Sequence, residues 1–156
     1  MYNVFFQIYV WLFRLVALFH KKAAKMVAGQ RQTFRDLDSK ISPEDSCVWI
    51  HVASLGEFEQ ARPIIEALRC RYPHYKLVLT FYSPSGYEVR RDYDQVDVVC
   101  YLPFDTRHNV RRFYRRVHPM AAIFVKYDLW PNYLRLLRRK NIPAYLVSGI
   151  FRPSQA

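Results

Sequence analysis

The sequence predicts an α/β fold, a Rossmann-like parallel sheet preceded by an N-terminal hydrophobic helix. Three observations carry that expectation. Short apolar runs alternate with stretches of helical period from Ser42 onward. Turn-forming residues separate them, and residues 1–40 differ in composition from residues 41–156. With 156 residues, 51% of them apolar and 17% aromatic, the chain has enough material for one packed domain, which excludes disorder as its main state.

The N-terminal segment, residues 1–40, reads as a membrane-anchor helix followed by a basic stretch. Val4 to Phe19 is apolar except for Gln7 and Arg14 and carries six aromatic residues. As a helix it rises about 24 Å, short of the roughly 30 Å hydrocarbon core, so a short or monotopic anchor fits best. Lys21, Lys22, Lys25, Arg31 and Arg35 follow it, the order expected beside an anionic cytoplasmic surface. A cleaved signal peptide has its charge before the apolar run, so secretion is not expected. The alternative is a hydrophobic helix docked on the domain or on another subunit.

From residue 41 onward the elements follow in order. Cys47 to Ala53 is a strand, Ser54-Leu55-Gly56 a tight loop, and Glu57 to Tyr72 a helix with Phe58, Ala61, Ile64, Ile65 and Leu68 on one face. Pro63 is expected to bend that helix or restart it. Lys76 to Phe81 is the second strand, Ser83 to Gly86 a loop, and a helix starts near Tyr87. Val96 to Leu102 is the third strand. Arg107 to Val117 is amphipathic, with Val110, Phe113, Tyr114 and Val117 inward and Arg111, Arg112, Arg115 and Arg116 on the polar face. Met120 to Val125, a helix over Trp130 to Lys140, and Ala144 to Ser148 complete the pattern. A doubly wound domain that stops after its fifth strand is expected to be the first half of a two-domain protein.

Ligands bind such sheets at the C-terminal edge of the strands, which here gathers Ser54 to Glu57, Tyr82 to Gly86, Phe104 to Thr106 and Lys126 to Asn132. Glu57 reads either as a general base or as an acid favoured by the dipole in a first helical turn. Lys126 either neutralises a phosphate or carboxylate or pairs with Asp128, which itself reads as a helix cap ahead of Pro131. His51 is expected as a core or edge histidine. The formal charge of +11 calls for an anionic partner: nucleic acid, a phosphorylated substrate or an acidic membrane. The arginine-rich helix face lacks interleaved aromatics, so a solvated face is preferred to nucleic-acid binding. Cys47, Cys70 and Cys100 read as buried thiols, and no metal-ligand spacing is present. Phosphate-loop, dinucleotide and nucleophile-elbow motifs are absent from the sequence.

His51-Val52-Ala53-Ser54-Leu55-Gly56-Glu57, Ser83-Pro84-Ser85-Gly86, Leu102-Pro103-Phe104-Asp105 and Leu129-Trp130-Pro131-Asn132, behind an aromatic N-terminal anchor, together resemble the 3-deoxy-D-manno-octulosonic acid (Kdo) transferases of lipopolysaccharide synthesis. The resemblance implies a metal-independent, inverting GT-B glycosyltransferase on the cytoplasmic face of the bacterial inner membrane, moving Kdo from CMP-Kdo to a lipid A precursor. It implies no cofactor and no nucleic-acid partner. Residues 41–156 would be the acceptor-binding half, with the donor held mainly by a C-terminal domain. Glu57 falls on the family's general base, and Ser54, Gly56, Ser85, Gly86, Lys126 and Asp128 become acceptor-binding candidates. Where the family reads Glu-Thr-Glu before Leu-Trp-Pro-Asn, this chain reads Lys126-Tyr127-Asp128, so only Asp128 carries over as a functional carboxylate. The Ala-Arg-Leu-Ser usual after the fifth strand is replaced by Gly149-Ile150-Phe151-Arg152. The remaining alternative is a basic membrane-surface or nucleic-acid-binding α/β module without catalysis.

Overall fold

The computed structural model describes residues 2–149; Ile150, Phe151 and Arg152 of the replaced motif lie outside them. Five strands, β1 (Cys47–Val52), β2 (Lys76–Phe81), β3 (Val98–Tyr101), β4 (Pro119–Val125) and β5 (Ala144–Val147), form one sheet in the order β3-β2-β1-β4-β5. Every neighbouring pair is parallel. The helices are α1 (Tyr2–Val16), α2 (Lys21–Lys40), α3 (Leu55–Arg71), α4 (Pro84–Arg90), α5 (Arg107–Val117) and α6 (Pro131–Arg139). This is the expected Rossmann-like α/β architecture, with the N-terminal helix present.

The central strand β1 is buried along its whole length, as a parallel strand covered on both faces must be. Alternation sends its side chains to two cores. Trp49 packs with Phe34 and Leu37 of α2, Phe113 of α5 and Tyr133 of α6. Ile50 packs on the other side with Phe58 and Ile65 of α3. The chain runs outward from β1 through β2 to β3, then returns to the other side of β1 as β4. That reversal opens a crevice between the C-terminal ends of β1 and β4, the place where open α/β sheets hold ligands.

Helix α2 was not legible as an element of the packed fold. Its residues fall in the stretch read as a basic segment, yet Ala23, Met26, Gln30, Thr33, Phe34 and Leu37 form one buried stripe. Two of those six are polar, which hides the period. Thr33 Oγ1 donates to the Tyr101 carbonyl at 2.8 Å, joining α2 to the end of β3. Gly29 lies flat against the Tyr101 ring, where a Cβ would overlap it. Helix α1 ends at Val16, three residues before the apolar run does, and α1 and α2 meet at 118°. Among the described residues no single helix is long and apolar enough to cross a membrane.

One smaller expectation fails, and of the two outcomes expected at Pro63, a bend or a restart, the restart does not occur. Cys70 is exposed, because it lies on the outer side of α3, whereas Cys47 and Cys100 are buried in strands. Burial pushes the Cys47 thiol up to about 12, so it stays protonated and inert. Helix α3 does not restart at Pro63, an exposed position where the lost backbone bond faces water. At the sheet's opposite edge Asp97 is half-buried. Burial opposes its ionisation, but Arg69 at 2.6 Å, the Leu77 amide and Lys76 outweigh it and hold the carboxyl below its ordinary value.

The close approach of α2 to Tyr101 makes a test. Gly29→Ala improves helix propensity but forces a buried aromatic ring to move, so it should lower unfolding free energy by about 1–3 kcal/mol in denaturant titration. An unchanged midpoint would mean that α2 is not seated on β3 in this way.

Candidate functional site

Both helices at the candidate edge start earlier than the sequence indicates. Ser54 occupies the N-cap position of α3, so Gly56 and Glu57 stand in its first turn and not in a loop. Ser83 caps α4, accepting from the Ser85 amide at 3.3 Å, and Pro84 takes the first helical position. Ser85 and Gly86 are therefore helical as well. The loops after β1 and β2 are joined by Ser83 N donating to the Ala53 carbonyl at 2.8 Å. Gly86 is buried against the Phe81 ring, and a Cβ there would lie 3.0 Å from Leu55 N, so this glycine lets the two helix starts approach. Gly56 is different: it is exposed, and a Cβ on it would meet nothing within 4 Å.

Glu57 is half-buried, and its Oε2 accepts from the Ala53 amide at 2.5 Å. The carboxylate thus closes the start of its own helix, one residue further back than in a capping box. Oε1 has no hydrogen-bond partner among the described residues. Ser54 makes no side-chain capping bond.

Across the crevice, Asp128 does not cap α6. The open amides of α6 at Asn132 and Tyr133 donate to Asp105 at 3.0 and 3.1 Å. Asp128 Oδ2 instead meets His51 Nε2 at 2.8 Å, and His51 is fully buried in β1. On the other side of the ring His51 Nδ1 lies 2.9 Å from the Thr80 hydroxyl, and Thr80 Oγ1 accepts from Trp49 Nε1 at 2.8 Å. Sequence reading kept His51 in the core and missed this chain. Its one signal is a polar residue in an otherwise apolar central strand.

Lys126 makes no ion pair among the described residues, so its expected pairing with Asp128 is not formed. Its φ of 57° is left-handed, an uncommon conformation for a long side chain, at the turn that carries the chain from β4 to Asp128. The crevice also has an aromatic wall. Trp130 lies 5.0 Å from the Tyr82 ring and 6.0 Å from Phe6 of α1, and the Tyr82 and Tyr9 hydroxyls are 3.1 Å apart. Burial pushes the Tyr82 phenol far up, so it stays neutral.

The arginines of α5 divide between two neighbours. Arg112 and Arg116 turn to α2, stacked on Phe34 at 3.9 and 5.3 Å, with Arg116 also 2.6 Å from Asp38. Arg111 and Arg115 are exposed and line a surface groove with Leu136 and Arg139 of α6. Among the described residues no group of His, Cys, Asp and Glu side chains has the arrangement of a metal site.

Comparison with known proteins adds an independent line. The sequence profile of the family described as 3-deoxy-D-manno-octulosonic-acid transferase (kdotransferase) matches residues 23–156. A 3-deoxy-D-manno-octulosonic acid transferase of Haemophilus influenzae is 34% identical over 108 residues, 69% of this chain and 25% of that protein. The Aquifex aeolicus protein of the same name is 32% identical over 69% of this chain and 29% of its own length. A bifunctional glycosyltransferase/methyltransferase of Fusobacterium nucleatum is 25% identical over 96% of this chain and 23% of its own length. The chain therefore spans about a quarter of the length of these curated relatives.

The His51 and Asp128 pair is testable by itself. Asp128→Ala leaves a buried imidazole N–H without its acceptor and should cost about 1–3 kcal/mol. A double-mutant cycle with His51→Ala should return a coupling of about 0.5–3 kcal/mol in denaturant titrations. Additive losses would show the contact to be energetically idle.

Proposed function

This chain belongs to the Kdo transferase family, matching its N-terminal domain profile over residues 23–156, and we propose that it is the acceptor-binding half of an enzyme that transfers Kdo from CMP-Kdo to a lipid A precursor. The observation that carries this reading is the position of Glu57, at the ligand edge beside the β1–β4 crevice with one carboxylate oxygen unengaged by the described residues. In the reaction the acceptor O–H bond breaks as its oxygen bonds the anomeric carbon, and the carbon–oxygen bond to CMP breaks with its electron pair leaving on phosphate. Attack from the face opposite the leaving group inverts the centre. The acceptor proton goes to Glu57, which avoids a free alkoxide at neutral pH. No metal or cofactor is assigned a part in this proposal.

Within it, Asp128, held from behind by the buried His51, forms the far wall, Lys126 supplies a cation for an acceptor phosphate, and the Tyr82–Trp130 wall covers apolar surface. Ser54, Gly56, Ser85 and Gly86 shape the near side. The proposal extends to location, on the cytoplasmic face of the bacterial inner membrane. The support is α1, whose outer face shows Val4, Phe5, Ile8, Trp11, Leu12 and Val16, each at least half exposed. Exposed apolar area this continuous, with basic residues beginning at Lys21, suits a helix lying in the lipid interface.

Two substitutions in the full-length enzyme test the chemistry. Glu57→Gln keeps the acceptor for the Ala53 amide and removes the base, so transfer should fall at least about a hundredfold with acceptor binding retained. Near-normal turnover would reduce Glu57 to a helix-start acid. Gly56→Ala should leave the melting temperature equal or higher, since the fold leaves room for the methyl and helix propensity gains up to about 1 kcal/mol. Activity should nevertheless drop if the acceptor occupies that space. Unchanged steady-state kinetics would place the acceptor elsewhere.

A further inference from the structure

His51 stands near the C-terminal end of the central strand, behind the crevice, with its side chain wholly buried. Its Nε2 meets two residues of the segment after β4: Asp128 Oδ2 at 2.8 Å and the Trp130 indole Nε1 at 3.3 Å. Thr80 of β2 braces the other side of the ring, its hydroxyl 2.9 Å and its carbonyl 3.2 Å from Nδ1. Trp49 Nε1 donates to that hydroxyl at 2.8 Å. One buried imidazole therefore holds both the carboxylate and the indole on the far side of the crevice.

The fold itself does not call for this arrangement. The α6 amides that Asp128 could have capped are taken by Asp105. Apolar side chains of similar volume in place of a buried polar pair are often as stable or more so. Asp128 is reached by solvent, with 23% of its side chain exposed against none for His51, and without its partner it would turn to water. What the pair supplies is direction. With Oδ2 against His51, Asp128 Oδ1 has no hydrogen-bond partner among the described residues. A carboxylate only accepts, so the group it takes from a ligand is a donor, in a sugar a hydroxyl. We propose that His51 is a positioning residue of the acceptor site, fixing Asp128 so that Oδ1 accepts from an acceptor hydroxyl other than the one that reacts. The proposal rests on the reading of this edge as the acceptor site of a Kdo transferase. His51 does not touch the acceptor; it acts through Asp128, and the Trp130 indole beside it is held by the same nitrogen. Lys126 and Asp128 then divide the acceptor between them, the cation taking phosphate and the carboxylate a hydroxyl. Holding the carboxylate before the acceptor arrives removes an ordering cost from binding.

The test is steady-state kinetics of the full-length enzyme with CMP-Kdo and a lipid A precursor, read beside thermal melting. His51→Leu fills the buried space without a polar atom, so the melting midpoint should stay within a few degrees of the wild type or rise. The KM for the acceptor should increase at least about tenfold, as for a lost hydrogen bond to a charged group, while the KM for CMP-Kdo changes less than about twofold. A residue with a structural role alone moves the midpoint and does not separate the two KM values. His51→Gln returns an N–H near the place of Nε2 and should recover most of the acceptor KM. In an Asp128→Ala background His51→Leu should raise the acceptor KM by less than about twofold further, because the group it positions is gone. Thr80→Val, which withdraws the brace behind the ring, is the second variant should His51→Leu fail to fold, and its acceptor KM should increase at least about threefold. An acceptor KM unchanged in the folded variants, no recovery in His51→Gln, or losses that multiply in the double variant would each overturn the proposal. Transfer that Glu57→Gln abolishes but that keeps its acceptor KM in His51→Leu overturns the positioning role alone. A wild-type enzyme that transfers no Kdo overturns the transfer reading and this proposal together.

Discussion

Asp105, in the loop after β3, is 1% exposed, and its carboxylate takes the amide protons of Asn132 and Tyr133 and the hydroxyl proton of Tyr2. Burial drives its carboxyl above the ordinary range, and those three donors pull against it, which is the usual condition for keeping a carboxylate inside a fold. Much of the ligand edge follows from that arrangement. Because a residue from the neighbouring loop closes the start of α6, Asp128 is released from the capping role its position suggests. It turns to His51 instead. The same carboxylate, through Tyr2, fixes where α1 begins.

Once α1 is pinned there, its inner aromatics fall onto the crevice. Asn3 lies between Asn132 Oδ1 at 3.1 Å and Arg107 Nε at 3.1 Å, Phe6 meets Trp130, and Phe13 meets Phe104 at 5.2 Å. A helix with apolar residues all round is normally enclosed on all sides. This one is enclosed on one side only. The two readings of the N-terminal run, a helix docked on the domain and a helix that meets lipid, therefore describe opposite faces of α1. The inner face is settled by these contacts; the outer one carries the membrane proposal.

The strands, their order along the chain and the ligand edge were legible because apolar runs and turn residues are local signals. Glu57 and Lys126 fall on the same edge for that reason. What was hidden depends on partners far away in sequence. The buried stripe of α2 is visible only when Gln30 and Thr33 are credited with acceptors and donors near residues 101 and 104. The Asp128 contact spans 77 residues. The four arginines of α5 look equivalent on a helical wheel, yet the Phe34 ring takes two of them. Helix starts were misplaced by two or three residues because Ser54 and Ser83 were read as loop when they begin helices.

The start of α3 also removes an apparent choice about Glu57. Read from sequence, it is either an acid that favours a first helical turn or the base of a transfer reaction. A carboxylate has about four lone-pair sites on two oxygens, and the Ala53 amide uses one of them. The capping bond fixes the rotamer of the side chain on a rigid helix end, leaving Oε1 without a partner among the described residues. A general base needs to be held before the substrate arrives, so that no ordering cost falls on the reaction step. The local bond that makes Glu57 look merely structural is the one that gives a base its fixed position, and the two roles are compatible in one residue.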